Sequence, residues 1–482
     1  MKESDKYQLV VGLEVHAQLQ TAGKLFCADP TLFGAEANTQ VSPISLAHPG
    51  TLPVLNKKAV DLAIRLGLAL NCNITRQHFF ARKNYFYPDL PKGYQVSQHT
   101  APVCTDGFVK IKTAETQKQI QLHHMHLEED AGKSLHDVYE DYTCIDLNRA
   151  GVPLLEIVTE PVIHSSEEAF AFLTELRRLL RWLDVCDGNM EEGSMRCDAN
   201  ISVRLHGSNT LGTRVEVKNL NSIRNVKKAI ELEFDRLTRM VENGEEIIQE
   251  TRSFDADRQI TFSLRQKESA QDYRYFPEPD LPPFFISDER IDAIVKLSPP
   301  LPESYKTKYT QLFGLSDYDA EQICSDKEEV ELFESISVVC THYKAIVNWL
   351  LGPIRSYCNS NQCSVAAFPL TPQAIAEMIN TTESGKISFQ NATGKWMDYL
   401  IKNPQKKPSD AIIELHLEQQ SDEGALAQWV DAVLQANPDK VKEYLGGKKG
   451  LIGMFAGEVK KLSKGKADMQ LVQQLLTEKL KP

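Results

Sequence analysis

Near the amino terminus a carboxylate and an imidazole stand two residues apart, Glu14 and His16, inside the run YQLVVGLEVHAQLQ. Its odd positions Leu9, Val11, Leu13, Val15, Ala17 and Leu19 are apolar, and its even positions are Gly12, Glu14, His16, Gln18 and Gln20. A period of two marks a half-buried strand. Side chains two apart share a face at about 7 Å, so Glu14 and His16 project together. Such a face is also what an ordinary solvated sheet surface presents. The pattern recurs in GSMRCDANISVRL, where Arg196, Asp198, Asn200, Ser202 and Arg204 alternate with apolar residues, and again in TRVEVKN with Arg214, Glu216 and Lys218. A fourth candidate strand, QIQLHHMHL, runs into Glu128, Glu129 and Asp130. Carboxylates, guanidinium groups, an imidazole and an amide on one side of a sheet are groups that hold hard cations and clamp phosphates. Mg²⁺ takes one or two carboxylates together with substrate phosphate oxygens, so a magnesium-nucleotide site fits this face.

Two further segments combine basic residues, aromatic rings and a PDLP turn: FARKNYFYPDLPKGYQVSQ at 80–98, with Arg82 and Lys83, and DYRYFPEPDLPPF at 272–284, with Tyr273 and Arg274. Guanidinium planes and polar rings can stack on bases or grip phosphates; stiff loops packed over a sheet edge would use the same residues. His123, His124 and His126 have transition-metal chemistry available. Alternation places His124 and His126 on one face and His123 on the other, so most of this cluster is expected to be structural. AGKS at 131–134 resembles the end of a phosphate loop, but the required glycine is replaced by Leu127, and no P-loop is present.

The elements that carry these residues belong to an α+β protein. An N-terminal antiparallel-sheet cradle with flanking helices is expected over 1–294, a helical domain over 295–406 and a basic helical tail over 407–482. The boundaries follow PEPDLPPF with SPPLPES, and KNPQKKPSD, where prolines interrupt the pattern. The strongest helix is SSEEAFAFLTELRRLLRWLDV, with a serine cap at 165 or 166, acids in its first turn and an apolar stripe of Phe172, Leu173, Leu176, Leu179, Leu180 and Leu183. A second begins at Ser222, carries Val226, Ile230, Phe234, Leu237 and Val241, and stops at Asn243 and Gly244. The loop LHGSNTLG suits a hairpin between the second and third charged strands.

A length of 482 residues exceeds what one core usually serves. No leading apolar segment follows a basic stretch, and no run approaches the roughly 20 apolar residues of a membrane span, so a cytoplasmic protein is expected. Ten cysteines with no C-x-x-C pair are expected to be reduced thiols rather than a disulfide framework. The net charge is −12, yet from Asp439 onward ten lysines face five acids. An acidic body with a basic tail suits a partly polyanionic partner; a lysine-rich solvated helix face has the same composition.

Longer strings are specific. VGLEVHAQL, HPGTLPVLN, FARKNYFYPDLPKGYQVSQ, HLEEDAGKSLHD, DLNRAGVPLLEIVTEP, DGNMEEGSMRCDANISVR, EVKNLNSIRNVKKAI and DYRYFPEPDLPP, with ISFQNATGKWMDYL and YLGGKKGLIGMFAGEVKKLSKGKAD in the helical part, resemble the GatB family, the B subunits of aspartyl/glutamyl-tRNA(Asn/Gln) amidotransferases. The resemblance runs end to end. It implies a two-step reaction: ATP phosphorylates the side-chain carboxylate of Glu or Asp misacylated onto tRNA(Gln) or tRNA(Asn), and ammonia then displaces phosphate. Phosphorylation gives a poor electrophile its leaving group. The resemblance further implies an Mg²⁺ cup of Glu14, His16, Glu129 and Glu156, with Glu128 a weaker candidate; Glu156, inside the apolar run LLEIV, could instead be a buried paired acid. It implies phosphate contacts from Arg82, Lys83, Arg149, Arg196 and Lys218, positioning by Asp198 and Asn200, and substrate or ATP contacts from Glu216, Tyr273 and Arg274. The chain shows no amidase or glutaminase signature of its own, so ammonia is expected from a glutaminase A subunit, with a small C subunit completing a heterotrimer. Many members carry C-x-C followed by C-P-x-C, a zinc pattern. Here those places hold Cys27, Asp29, Ser42 and Ser45, and no zinc is expected.

Overall fold

The computed structural model describes residues 6–266, 273–418, 423–463 and 467–481. The first residue of the 272–284 segment, and Lys464 and Lys466 of the tail, lie outside these. The chain divides into two compact units, Met1–Leu301 and Pro302–Pro482.

The first unit is organised by one strand. β1 (Tyr7–Gln18) buries the apolar half of its alternation, with Val11, Val15 and Ala17 fully inaccessible and Leu9 and Leu13 nearly so; Leu19, just past its end, is buried as well. In chain order there follow α1 (Lys57–Ala69), β2 (Ala81–Asn84), β3 (Tyr94–Ser97), β4 (Gln117–Glu129), β5 (Pro153–Thr159), α2 (Ser166–Trp182), β6 (Met195–Leu205), β7 (Val215–Lys218), α3 (Ile223–Glu242), β8 (Glu250–Asp255), β9 (Ile260–Gln266) and β10 (Phe276–Pro277). Among the described residues these strands belong to a thirteen-stranded sheet with the continuous path β9-β8-β7-β6-β1-β5-β4-β3-β2-β10. The path is antiparallel except between β7 and β8, which run parallel with Glu216 opposite Thr251. The expected hairpin is present, with Ala199 of β6 opposite Val217 of β7.

Helices cover the apolar face. α2 starts at Ser165, whose hydroxyl accepts from the Glu168 amide at 3.1 Å, and buries Phe172, Leu173, Leu176, Leu179 and Leu180. That seam alone removes five large side chains from water, each worth roughly 1.5–3 kcal/mol. α3 packs on α2 and on β6. It buries Val226, Ile230 and Leu237 as expected, but Val241 is exposed and Phe234 only half-buried. The neighbouring Glu233 is instead fully buried and paired with Arg236 at 2.7 Å and Arg252 of β8 at 3.4 Å. An apolar stripe read by periodicity alone misses an acid that is held in part by an arginine of another element.

The second unit is helical throughout its described residues. Residues 426–480 gather their own core from Leu426, Val430, Val433, Phe455, Val459, Val472 and Leu476. The short helix Pro408–Glu414 instead joins the preceding helices, because the buried Trp396 indole donates to the Pro408 carbonyl at 3.1 Å. All ten cysteines are free thiols, seven of them buried. No helix among the described residues is long and apolar enough to cross a membrane.

Candidate functional site

Strand register brings the charged residues into rows. In one row Arg196 of β6 lies opposite His16 of β1, His16 opposite Glu156 of β5, and Glu156 opposite His126 of β4. In the next, Lys218 of β7, Asp198 of β6 and Glu14 of β1 follow one another, and β4 contributes His124 at the far end. The even positions of β1 therefore face neighbouring strands whose polar residues share that side. The apolar run around Glu156 does not bury it among hydrocarbon: its carboxylate is 3.3 Å from His16 Nε2 and 3.6 Å from His126 Nε2. His16 Nε2 also lies 3.5 Å from Glu14 and 3.7 Å from Glu128, and His126 Nε2 lies 3.5 Å from Glu128.

Three carboxylates around one imidazole leave negative charge uncompensated, and the titration behaviour follows. Burial, with Glu156 close by, pushes the Glu14 carboxyl up to about 7. Burial opposes the charged form of His16, but the bond to Glu156 and the charges of Glu156, Glu128 and Glu14 raise it to about 9. Glu156 resists burial because His126 and His16 hold its carboxyl well below the usual range. Lys83 of β2 is likewise held charged against burial by Glu128, above the ordinary lysine value. Oxygen donors converging from three strands fit a hard divalent ion, which on binding would displace the proton that His16 otherwise holds among them. Glu14, His16 and Glu156 would hold it.

The surrounding residues divide by strand parity. Arg196 donates to Asp130 at 2.9 Å, and Gln18 donates to the same oxygen at 2.9 Å. Lys218 pairs with Asp198, and its ammonium is 3.7 Å from Glu216. Glu216 is buried and accepts from Thr251 at 2.9 Å. Asn200 Oδ1 is buried with no hydrogen-bond partner among the described residues. Lys83 stands 5.1 Å from the Tyr273 ring centroid and 5.7 Å from that of Tyr85, so Tyr273 flanks the cluster. Arg274 is exposed, has a left-handed backbone with φ 44°, and its carbonyl accepts from Asn84 at 2.9 Å.

Two expected contacts point away from the cluster, and a third, Arg149, stands at its edge, 3.7 Å from the Asp130 oxygen that Arg196 binds. Glu129 follows Glu128 and so points to the other side of β4, where Lys92 binds both its oxygens at 2.8 Å; Glu128, the weaker candidate by resemblance, is the one at the cluster. Arg82 precedes Lys83 and also points away, forming a two-pronged pair with Glu278 at 2.7 Å over the Tyr94 ring. Arg149 donates to the carbonyls of Ala131 at 2.9 Å and Gly132 at 2.6 Å. It braces the loop after Asp130.

Alternation alone leaves most of the β4 histidines structural; the fold puts one of them, His126, within the acidic cluster, 3.5 Å from Glu128 and 3.6 Å from Glu156. The parity of 124, 126 and 128 was the available signal. His123 does not stay on the opposite side: the register between β4 and β5 slips after Val158, leaving His123 as an extra residue. Such a bulge re-aims side chains, and His123 Nδ1 lies 2.6 Å from His124 Nδ1. At Cys27, the thiol lies 3.5 Å from the Ser45 hydroxyl, which donates to Asp29; Asp29 also accepts from the Ser42 amide at 2.8 Å, and the buried Lys24 ammonium is 3.4 Å from Ser45. One thiol, one carboxylate and two hydroxyls beside an ammonium do not fit a tetrahedral zinc ion.

Residues 9–292 match the family model described as GatB/GatE catalytic domain, and residues 331–480 match the model described as GatB domain. The B subunits of aspartyl/glutamyl-tRNA(Asn/Gln) amidotransferases are similar over nearly the whole length. That of Geobacter sp. (strain M21) is 46% identical over 478 residues, covering 98% of this chain and 99% of the relative. That of Thermodesulfovibrio yellowstonii is 45% identical over 477 residues, covering 99% of this chain and 100% of the relative.

Proposed function

Because the chain belongs to the GatB family, we propose that it is the subunit of a tRNA-dependent amidotransferase in which a tRNA-borne carboxylate is phosphorylated and amidated, and that the cluster around Glu14 and His16 is where this happens. The observation that carries the reading is the cross-strand row Arg196, His16, Glu156 and His126, with Glu14 and Glu128 beside it and Lys83 held charged against burial.

The reaction requires the γ-phosphoryl group of ATP to pass to a side-chain oxygen of Glu-tRNA(Gln) or Asp-tRNA(Asn), with ADP leaving; ammonia then attacks the acyl carbon and phosphate departs. Mg²⁺, when bound, would neutralise the triphosphate's charge. The chain's own residues do the remainder. Glu14, His16 and Glu156 would hold the ion, with Glu128 in reach. Lys83, Arg196 and Lys218 would offer cations to phosphate oxygens. Asp130 keeps Arg196 in place, and Asp198 does the same for Lys218. Asn200, whose buried oxygen lacks a partner among the described residues, would position the substrate, as would Tyr273 beside Lys83. Arg149 and Glu216 act through what they brace.

Ammonia would come from a glutaminase A subunit, with a small C subunit completing a heterotrimer. Within this chain residues 1–294 would be the catalytic cradle, 295–406 a helical domain and 407–482 the basic, tRNA-binding tail. The test reconstitutes the chain with both partners and supplies Glu-tRNA(Gln) or Asp-tRNA(Asn), ATP and glutamine. Amide formation on at least one tRNA should require Mg²⁺ and fall about a hundredfold or more in Glu14→Gln. Full activity of that variant with unaltered tRNA binding would overturn the assignment.

A further inference from the structure

Beside the Glu14–His16 pocket, β4 carries two histidines, His124 and His126, to which the proposed reaction assigns no step. His124 Nε2 lies 3.1 Å from His126 Nδ1, and one ring nitrogen from each, with an oxygen of Glu156, all lie within 4.8 Å of one another. The rings are stacked at 19° with centroids 5.2 Å apart. Metal–nitrogen bonds of about 2.0–2.1 Å place two imidazole nitrogens on one ion about 3 Å apart, which is the separation found. The bulge supplies the remaining feature. His123, on the exposed surface, lies 2.6 Å from His124 Nδ1 through its own Nδ1. When His124 donates Nδ1–H to His123, its Nε2 lone pair is left facing His126. An outer hydrogen bond that fixes the tautomer of a ligating histidine is the usual companion of a metal site.

We infer that His124, His126 and Glu156 form a binding site for a borderline divalent transition metal such as Zn²⁺ or Co²⁺, distinct in chemistry from the oxygen-rich pocket next to it and sharing Glu156 with it. Two imidazoles and one carboxylate select such ions over Mg²⁺, which prefers oxygen. The site goes beyond the amide-transfer reading and can fail while that reading stands.

The experiment uses the full chain, stripped with a chelator and titrated with Co²⁺ in the presence of excess Mg²⁺, following the visible d–d absorption. One equivalent should bind saturably. His124→Gln should abolish that binding. His123→Gln, on the exposed side of the bulge, should leave the fold intact by circular dichroism and weaken Co²⁺ about 10-fold or more. Absence of saturable binding in the parent chain would overturn the site. So would binding that survives both histidine variants and is lost in Glu14→Gln, because the ion would then occupy the neighbouring pocket.

Discussion

A proton on Glu14 is the smallest event with a measurable consequence. Its carboxyl rises from 4.5 to about 7 in the folded chain, first through burial and then through Glu156. A group whose folded pKa exceeds its unfolded one favours the native state below the unfolded value, and that contribution is lost as pH climbs through the folded value. Between 4.5 and about 7, therefore, Glu14 becomes a liability to the chelator-treated protein. Glu14→Gln should raise the melting temperature relative to the parent once the pH exceeds the folded value, and the gap should close at or below the unfolded one. A variant less stable than the parent in mildly alkaline buffer would mean that His16 compensates Glu14 fully. The even-numbered side of β1 was legible in the sequence because alternation is local. Which of two adjacent residues faces the site was harder. Glu128 against Glu129, and Lys83 against Arg82, are decided by strand parity relative to β1, and for β2 that parity passes through Ser97 opposite Glu128, a pairing that no local pattern reveals.

At the scale of elements, α1 reaches the back of the sheet through a glycine. A Cβ at Gly67 would lie 2.4 Å from Cys104 Sγ and 3.1 Å from Ile74 Cδ1, inside a buried layer behind β4 that includes Met125. Helix propensity alone would favour alanine by up to about 1 kcal/mol. Overpacking of a close-set core costs about 1–3 kcal/mol, so Gly67→Ala should lower stability in a denaturant titration. Adding Cys104→Ala should recover most of the loss, and an additive double variant would contradict the contact. Helix starts and the β6–β7 hairpin were readable from caps and turn residues. The bulge at His123 and the parallel pairing of β7 with β8 were not, since both are set by the partner strand.

For the whole molecule, the proposed reading assigns chemistry to the sheet and tRNA binding to the basic tail. The core within 426–480 is its own, whereas the 408–414 helix is tied back to Trp396. Removing residues from 423 onward should thus leave the sheet folded while weakening tRNA binding. The log–log salt slope should shrink by roughly 0.7–0.9 for each phosphate that is no longer neutralised; unchanged affinity would place tRNA recognition elsewhere. Composition exposed the basic tail, but not which helices share a core, because that depends on long-range packing. Whether the sheet face phosphorylates a carboxylate carried by tRNA can be read from ADP formation in the reconstituted complex without glutamine or ammonia. ADP should be released only when Glu-tRNA(Gln) or Asp-tRNA(Asn) is present, and its release should be abolished by Glu14→Gln and strongly reduced by Lys83→Met. Equal ADP release with uncharged tRNA, or with none, would contradict that role for the cluster.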